Sequence, residues 1–63
     1  MASLEDHIGR ILGESNVPLT AVEITLLLNA EFIGNHYKIS EIVASMDKMP
    51  NVYRSGKEYC RAA

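Results

Sequence analysis

Tryptophan is absent from this sequence, and cysteine and phenylalanine occur once each. The aromatic residues are Phe32, Tyr37, Tyr53 and Tyr59, too few to build a core, so Leu, Ile, Val and Met must fill it. With Cys60 as the single cysteine no intrachain disulfide can form. That argues against a small secreted scaffold held by disulfides and leads us to expect a reducing, cytoplasmic setting. The longest apolar run is about one helical turn, far short of the ~20 residues that span a bilayer. Glu5 and Asp6 stand where a signal peptide would need bases, so no secretory leader is expected.

The chain of 63 residues has room for one domain. Apolar residues make up 48% and charged residues 22%, the balance of a folded globule and not of a disordered tail. A chain of this size buries only roughly 60% of the surface its unfolded form exposes, so stability must be marginal. Net charge is −2, with the signs unevenly spread. Residues 1–33 carry Glu5, Asp6, Glu14, Glu23 and Glu31 against Arg10 alone. Residues 34–63 carry Lys38, Lys48, Arg54, Lys57 and Arg61 against Glu41, Asp47 and Glu58. This asymmetry fits an anionic partner at the C-terminal end, and equally a chance scatter of charges.

Local signals divide the chain into elements. Ser3-Leu4-Glu5-Asp6 resembles a capping box with Asp in the third helical position. Leu4, Ile8, Ile11 and Leu12 follow as one apolar stripe, and Gly13 offers a stop, which predicts a helix over 4–13. Glu14-Ser15-Asn16 reads as a turn, and Val17-Pro18-Leu19 as an extended segment, because proline pushes its predecessor out of the helical region. Thr20-Ala21-Val22-Glu23 is a second capping box and opens a helix over about 21–30. Its expected buried face is Ile24, Leu27 and Leu28, widened by Val22, Leu26 and Ala30. Gly34-Asn35 is a turn signal, and a third helix is expected over 37–49 with Asn35 as its cap. Its stripe is Ile39, Ile42, Val43, Met46 and Met49, and Pro50 ends it. Beyond it the period changes to two, so 52–61 reads as a hairpin turning at Ser55-Gly56-Lys57.

The order helix, short strand, helix, turn, helix, hairpin resembles the winged helix-turn-helix family over nearly the whole chain. The most telling pieces are Val17-Pro18-Leu19-Thr20-Ala21-Val22-Glu23-Ile24 and the run from Met49 to Tyr59, which resemble the entry to that family's second helix and its wing. The resemblance implies an α+β, mostly α fold of three helices and a C-terminal β-hairpin wing. It also implies a small bacterial or phage DNA-binding regulator, acting on double-stranded DNA without a cofactor and, in many relatives, as a homodimer. The stretch between Ala30 and Tyr37 exceeds the usual three- or four-residue turn.

In DNA-binding members the third helix enters the major groove, where phosphate contacts position it and base contacts specify sequence. Mapped onto this chain, the helix start contributes Asn35, His36, Tyr37 and Lys38. The outward face contributes Ser40, Glu41, Ala44, Ser45 and Lys48. Arg54, Lys57 and Arg61 on the hairpin would grip phosphates. The plainer alternatives are an ordinary solvated helix face and cations that guard strand edges against pairing.

Other chemistries find less support. His7, His36 and Cys60 lack the paired spacing of a zinc site, so no metal is expected. Cys60 is expected to be a small buried or half-buried apolar residue. No glycine-rich phosphate loop or nucleophile–base set is legible, so an enzyme is not expected. The competing reading is a protein-interaction winged helix with no nucleic-acid role. It predicts an exposed apolar patch drawn from Val22, Leu26, Phe32 or Ile33.

Overall fold

The computed structural model describes residues 3–31 and 36–62, in the order α1 (Leu4–Glu14), β1 (Leu19–Thr20), α2 (Ala21–Glu31), α3 (Ile39–Asp47), β2 (Val52–Ser55), β3 (Glu58–Arg61). Helices and an antiparallel three-stranded sheet with a closing hairpin make an α+β, mostly helical fold in the winged-helix layout. The strand order is β1-β3-β2, so the last strand lies in the middle.

Each helix start has its own chemistry. Ser3 caps α1 in a full capping box: its hydroxyl accepts the Asp6 N–H at 3.2 Å, and the Asp6 carboxylate accepts the Ser3 N–H at 3.1 Å. The helix runs through Gly13 to Glu14, one residue past the expected stop. It ends where the Ser15 N–H bonds the Ile11 carbonyl at 3.1 Å. Thr20 and Glu23 form the second capping box, at 3.2 and 3.0 Å. The short strand expected at 17–19 sits at Leu19–Thr20, so the chain passes from sheet to helix with no loop between.

The third helix is shorter than the expected 37–49. It begins at Ile39, after an extended Lys38 with φ −89° and ψ 150°. Lys38, not Asn35, is the cap; Asn35 lies outside the described residues, as do Phe32, Ile33 and Gly34. The cause is Asn29. Its side-chain oxygen accepts the Tyr37 N–H at 2.9 Å, and its amide donates to the Tyr37 carbonyl at 3.2 Å. Both backbone groups of Tyr37 are thereby engaged by a neighbouring helix, and the backbone becomes helical only two residues later. The Glu41 carboxylate accepts the Lys38 N–H at 3.4 Å in place of a side-chain cap from residue 38 itself.

The core consists of Ile8, Ile11, Leu12, Leu19, Ile24, Leu28, Ile42, Met46 and Tyr59, with Leu4, Ala21, Tyr37, Met49 and Val52 packed around it. It draws on all three helices and on the sheet, which supplies Leu19 and Tyr59 as cross-strand partners. The expected face of α2 is corrected here. Ile24, Thr25 and Leu28 point inward, while Val22, Leu26 and Leu27 are 50%, 64% and 47% exposed and Ala30 is exposed. Thr25 is tolerated inside because its hydroxyl donates to the Ala21 carbonyl at 2.7 Å, leaving no orphaned polar atom. Ile39, expected in the core, is 45% exposed because it opens α3, and Val43 is half-buried.

The hairpin joins β2 to β3 through the two residues Gly56 and Lys57, with Ser55 paired to Glu58. Gly56 has φ +63°, the left-handed value a turn of this type needs at its first central residue.

Ile24 and Leu26 make a direct test of this helix orientation. Ile24→Ala empties a fully buried site and should cost about 2–5 kcal/mol, enough to unfold much of a marginal domain. Leu26→Ala should stay within about 0.5 kcal/mol. Denaturant midpoints followed by circular dichroism separate the two.

Candidate interaction surfaces

Pleating and register divide the sheet into two faces. Leu19, Val52, Arg54, Tyr59 and Arg61 share the side that meets the helices. Thr20, Tyr53, Ser55, Glu58 and Cys60 share the other. Cys60 is therefore an exposed, free thiol opposite Tyr53, not the buried or half-buried residue expected on its strand. Tyr59, its neighbour, takes the interior instead.

The cations expected at a DNA interface occupy several environments. Arg54 and Lys57 are exposed on the hairpin, and Lys38 is exposed at the start of α3. Arg61 turns to α1, where its guanidinium donates to the Gly9 carbonyl at 3.0 Å. A helix carbonyl has a second lone pair for such a donor. Gly13 explains how the arginine gets there: a Cβ at that position would lie 3.0 Å from the Arg61 guanidinium. The glycine expected to stop α1 instead clears a path for a long side chain. Arg61 also shares a shallow groove with Lys48, Arg10 and the carboxylates of Glu5 and Asp6. This end of the molecule is thus mixed in sign.

Of the other expected contacts, Ser40, Glu41, Ala44 and Lys48 are exposed on α3, Ser45 and Tyr37 are half-buried, and His36 is exposed. At about 100° per residue, Ala44 stands opposite the buried Ile42 and Met46, with Ser40 and Lys48 to either side. Glu41, Ala44, Ser45 and Lys48 border a second shallow groove whose other wall is Ser3, Leu4 and Glu5 of α1. The outward face of α3 thus centres on the small side chains Ser40 and Ala44, flanked by Glu41, Asp47 and Lys48, and Lys48 lies beside acidic residues of α1. Lys38 and Lys48 bracket the helix about 15 Å apart along its axis, from ten steps of about 1.5 Å.

A different surface emerges on α2. Val22 and Leu26 lie one turn apart on its outer side, with Ala30 a turn further on. Leu27 stands beside them and walls an open groove of about 500 Å³ with Ile11, Leu19 and Ala30. The rim of that groove carries Glu14 and Glu31. Arg10 bridges the two, at 3.5 Å to Glu14 and by a hydrogen bond to Glu31. The hydrogen bond to Glu31 raises the Arg10 pKa above its ordinary value; desolvation opposes it, and the charges of Glu31 and Glu14 add to the rise. Of the patch candidates Val22, Leu26, Phe32 and Ile33, the first two are exposed and the last two lie outside the described residues; Leu27 and the groove were missed. The groove joins residues from α1, β1 and α2 that no local pattern connects.

Among the described residues, no group of three or more His, Cys, Asp or Glu side chains could hold a metal ion. No helix among them is long and apolar enough to cross a membrane. Comparison with protein-family models, curated proteins and solved structures found no match for this chain.

Two measurements check this geometry. The Cys60 thiol of the native protein should react in full with a chromogenic disulfide reagent, without denaturant; a thiol that reacts only on unfolding would contradict the sheet register. Gly9→Ala should stabilise by about 0.5–1 kcal/mol through helix propensity. Its added methyl meets Met49 at 3.7 Å, an ordinary contact. A lower melting temperature would mean that α1 packs more tightly against Met49 and Arg61 than described.

Proposed function

We propose that this chain is a winged-helix interaction module that docks on another protein through the outer face of α2. The observation that carries the reading is the row of exposed aliphatic side chains, Val22, Leu26 and Leu27, on one helix of a very small domain. A helix that faces only its own core and water keeps its apolar residues on one stripe. The apolar residues of α2 are instead spread around its circumference. Contiguous apolar surface of this kind marks contact sites on folded proteins. Fully burying one such side chain contributes about 1.5–3 kcal/mol, so a few suffice for a specific contact.

The second reading, a regulator bound to double-stranded DNA, is favoured by Arg54 and Lys57. Both are exposed beside a tight turn, as a phosphate-gripping wing requires. Lys38, His36 and the outward residues of α3 would complete that interface. Arg61 supports it less, being hydrogen-bonded to α1, and Asp47, exposed on α3, would repel phosphate.

One experiment weighs the two. Wild-type protein, Leu26→Lys and the double variant Arg54→Gln/Lys57→Gln are compared as affinity baits and in titrations with mixed-sequence duplex DNA at low salt. On the adaptor reading one protein partner is retained by wild type and the double variant and lost by Leu26→Lys, whose melting temperature is unchanged. Saturable DNA binding that the double variant loses, with a steep salt dependence, would overturn that reading in favour of the wing.

A further inference from the structure

The geometry points to the chemical class of the partner: an amphipathic helix with an aliphatic ridge and cationic flanks, laid along α2 with side chains entering the groove beside Leu27. This inference rests on the docking role proposed above and adds the charge of the occupant.

The floor of the groove is aliphatic, from Ile11, Leu19, Leu27 and Ala30, so it selects apolar side chains. Its surroundings are acidic. Glu14 and Glu31 stand on the rim, and Glu23 projects from the same helix as the ridge. Arg10 is the cation among them and is shared between Glu14 and Glu31. The region therefore keeps two negative charges uncompensated, three carboxylates against one guanidinium. Glu23 also caps the helix, its carboxylate accepting the Thr20 N–H at 3.0 Å.

An extended apolar ridge with acidic margins matches a helix whose own ridge is bordered by Lys or Arg. A second copy of this chain laid symmetrically on the same face would bring two acidic margins together. A helix flanked by Asp or Glu would meet the same repulsion. The charge pattern thus selects against both, and repulsion of wrong partners is a main source of specificity in such contacts.

The test uses the full chain and two synthetic helical peptides with the same leucine ridge, one flanked by lysines and the other by glutamates. Binding is followed by amide shifts and calorimetry. The lysine peptide should bind about tenfold or more tightly than the glutamate peptide, with the gap narrowing as salt rises. Its shifts should centre on Leu26, Leu27 and Ala30. Glu23→Gln/Glu31→Gln keeps hydrogen-bond acceptors at both positions and should bring the two peptides to within about threefold of each other. Equal binding of both peptides at α2 would overturn the charge assignment and leave the docking role standing. Shifts confined to the hairpin, or none with either peptide, would overturn both. A concentration-dependent dimer in sedimentation, abolished by Leu26→Lys, would make a second copy the occupant and overturn the inference.

Discussion

Thr20 holds two positions at once, and much of the fold follows from that. It closes β1, paired with Glu58, and its hydroxyl caps α2. With no residue between strand and helix, the register of β1 on β3 dictates where α2 starts and which way it turns. Leu19, one residue earlier, is locked opposite Tyr59 in the core. A shift of one residue would expose Leu19 and rotate Ile24 and Leu28 out of the interior. Helix orientation is thus set by a sheet pairing and not by the helix's own pattern.

The far end of β3 is fixed by Arg61. Its side chain reaches across the glycine side of α1 to the Gly9 carbonyl, tying the hairpin to the first helix. That contact has an electrostatic effect as well as a structural one. It commits a wing cation to the body of the protein, beside Glu5 and Asp6. Arg61 stays exposed and keeps its charge against a neutral carbonyl, but the hydrogen bond fixes that charge at the α1 end, apart from Arg54 and Lys57 beside the turn.

Much of the fold was legible in the sequence because its signals are local. Two capping boxes fixed the starts of α1 and α2, and a glycine with positive φ fixed the turn of the hairpin. The misread parts depend on contacts distant in sequence. Asn29 holds Tyr37, the residue before the cap of α3, from eight residues away, through a bond pattern that no periodicity reveals. Gly13 resembled a helix stop because the side chain it accommodates comes from Arg61, at the other end of the chain. The inward face of α2 was ambiguous because apolar residues surround it, and the satisfied hydroxyl of Thr25 let a polar residue take a place that leucine would be expected to fill. The same ambiguity hid the groove beside Leu27, whose walls come from separate elements.

The arrangement of α2 gives this small domain an unusual thermodynamic position. One side of the helix, Ile24 and Leu28, is already part of the core, and the opposite side lies one helix diameter away. A partner bound there would depend on α2 being held in the native fold. Mass action would then add its binding free energy to that of folding. Under the proposed role, the melting point of the isolated chain is a lower bound, and its lifetime against proteolysis would follow the abundance of its companion.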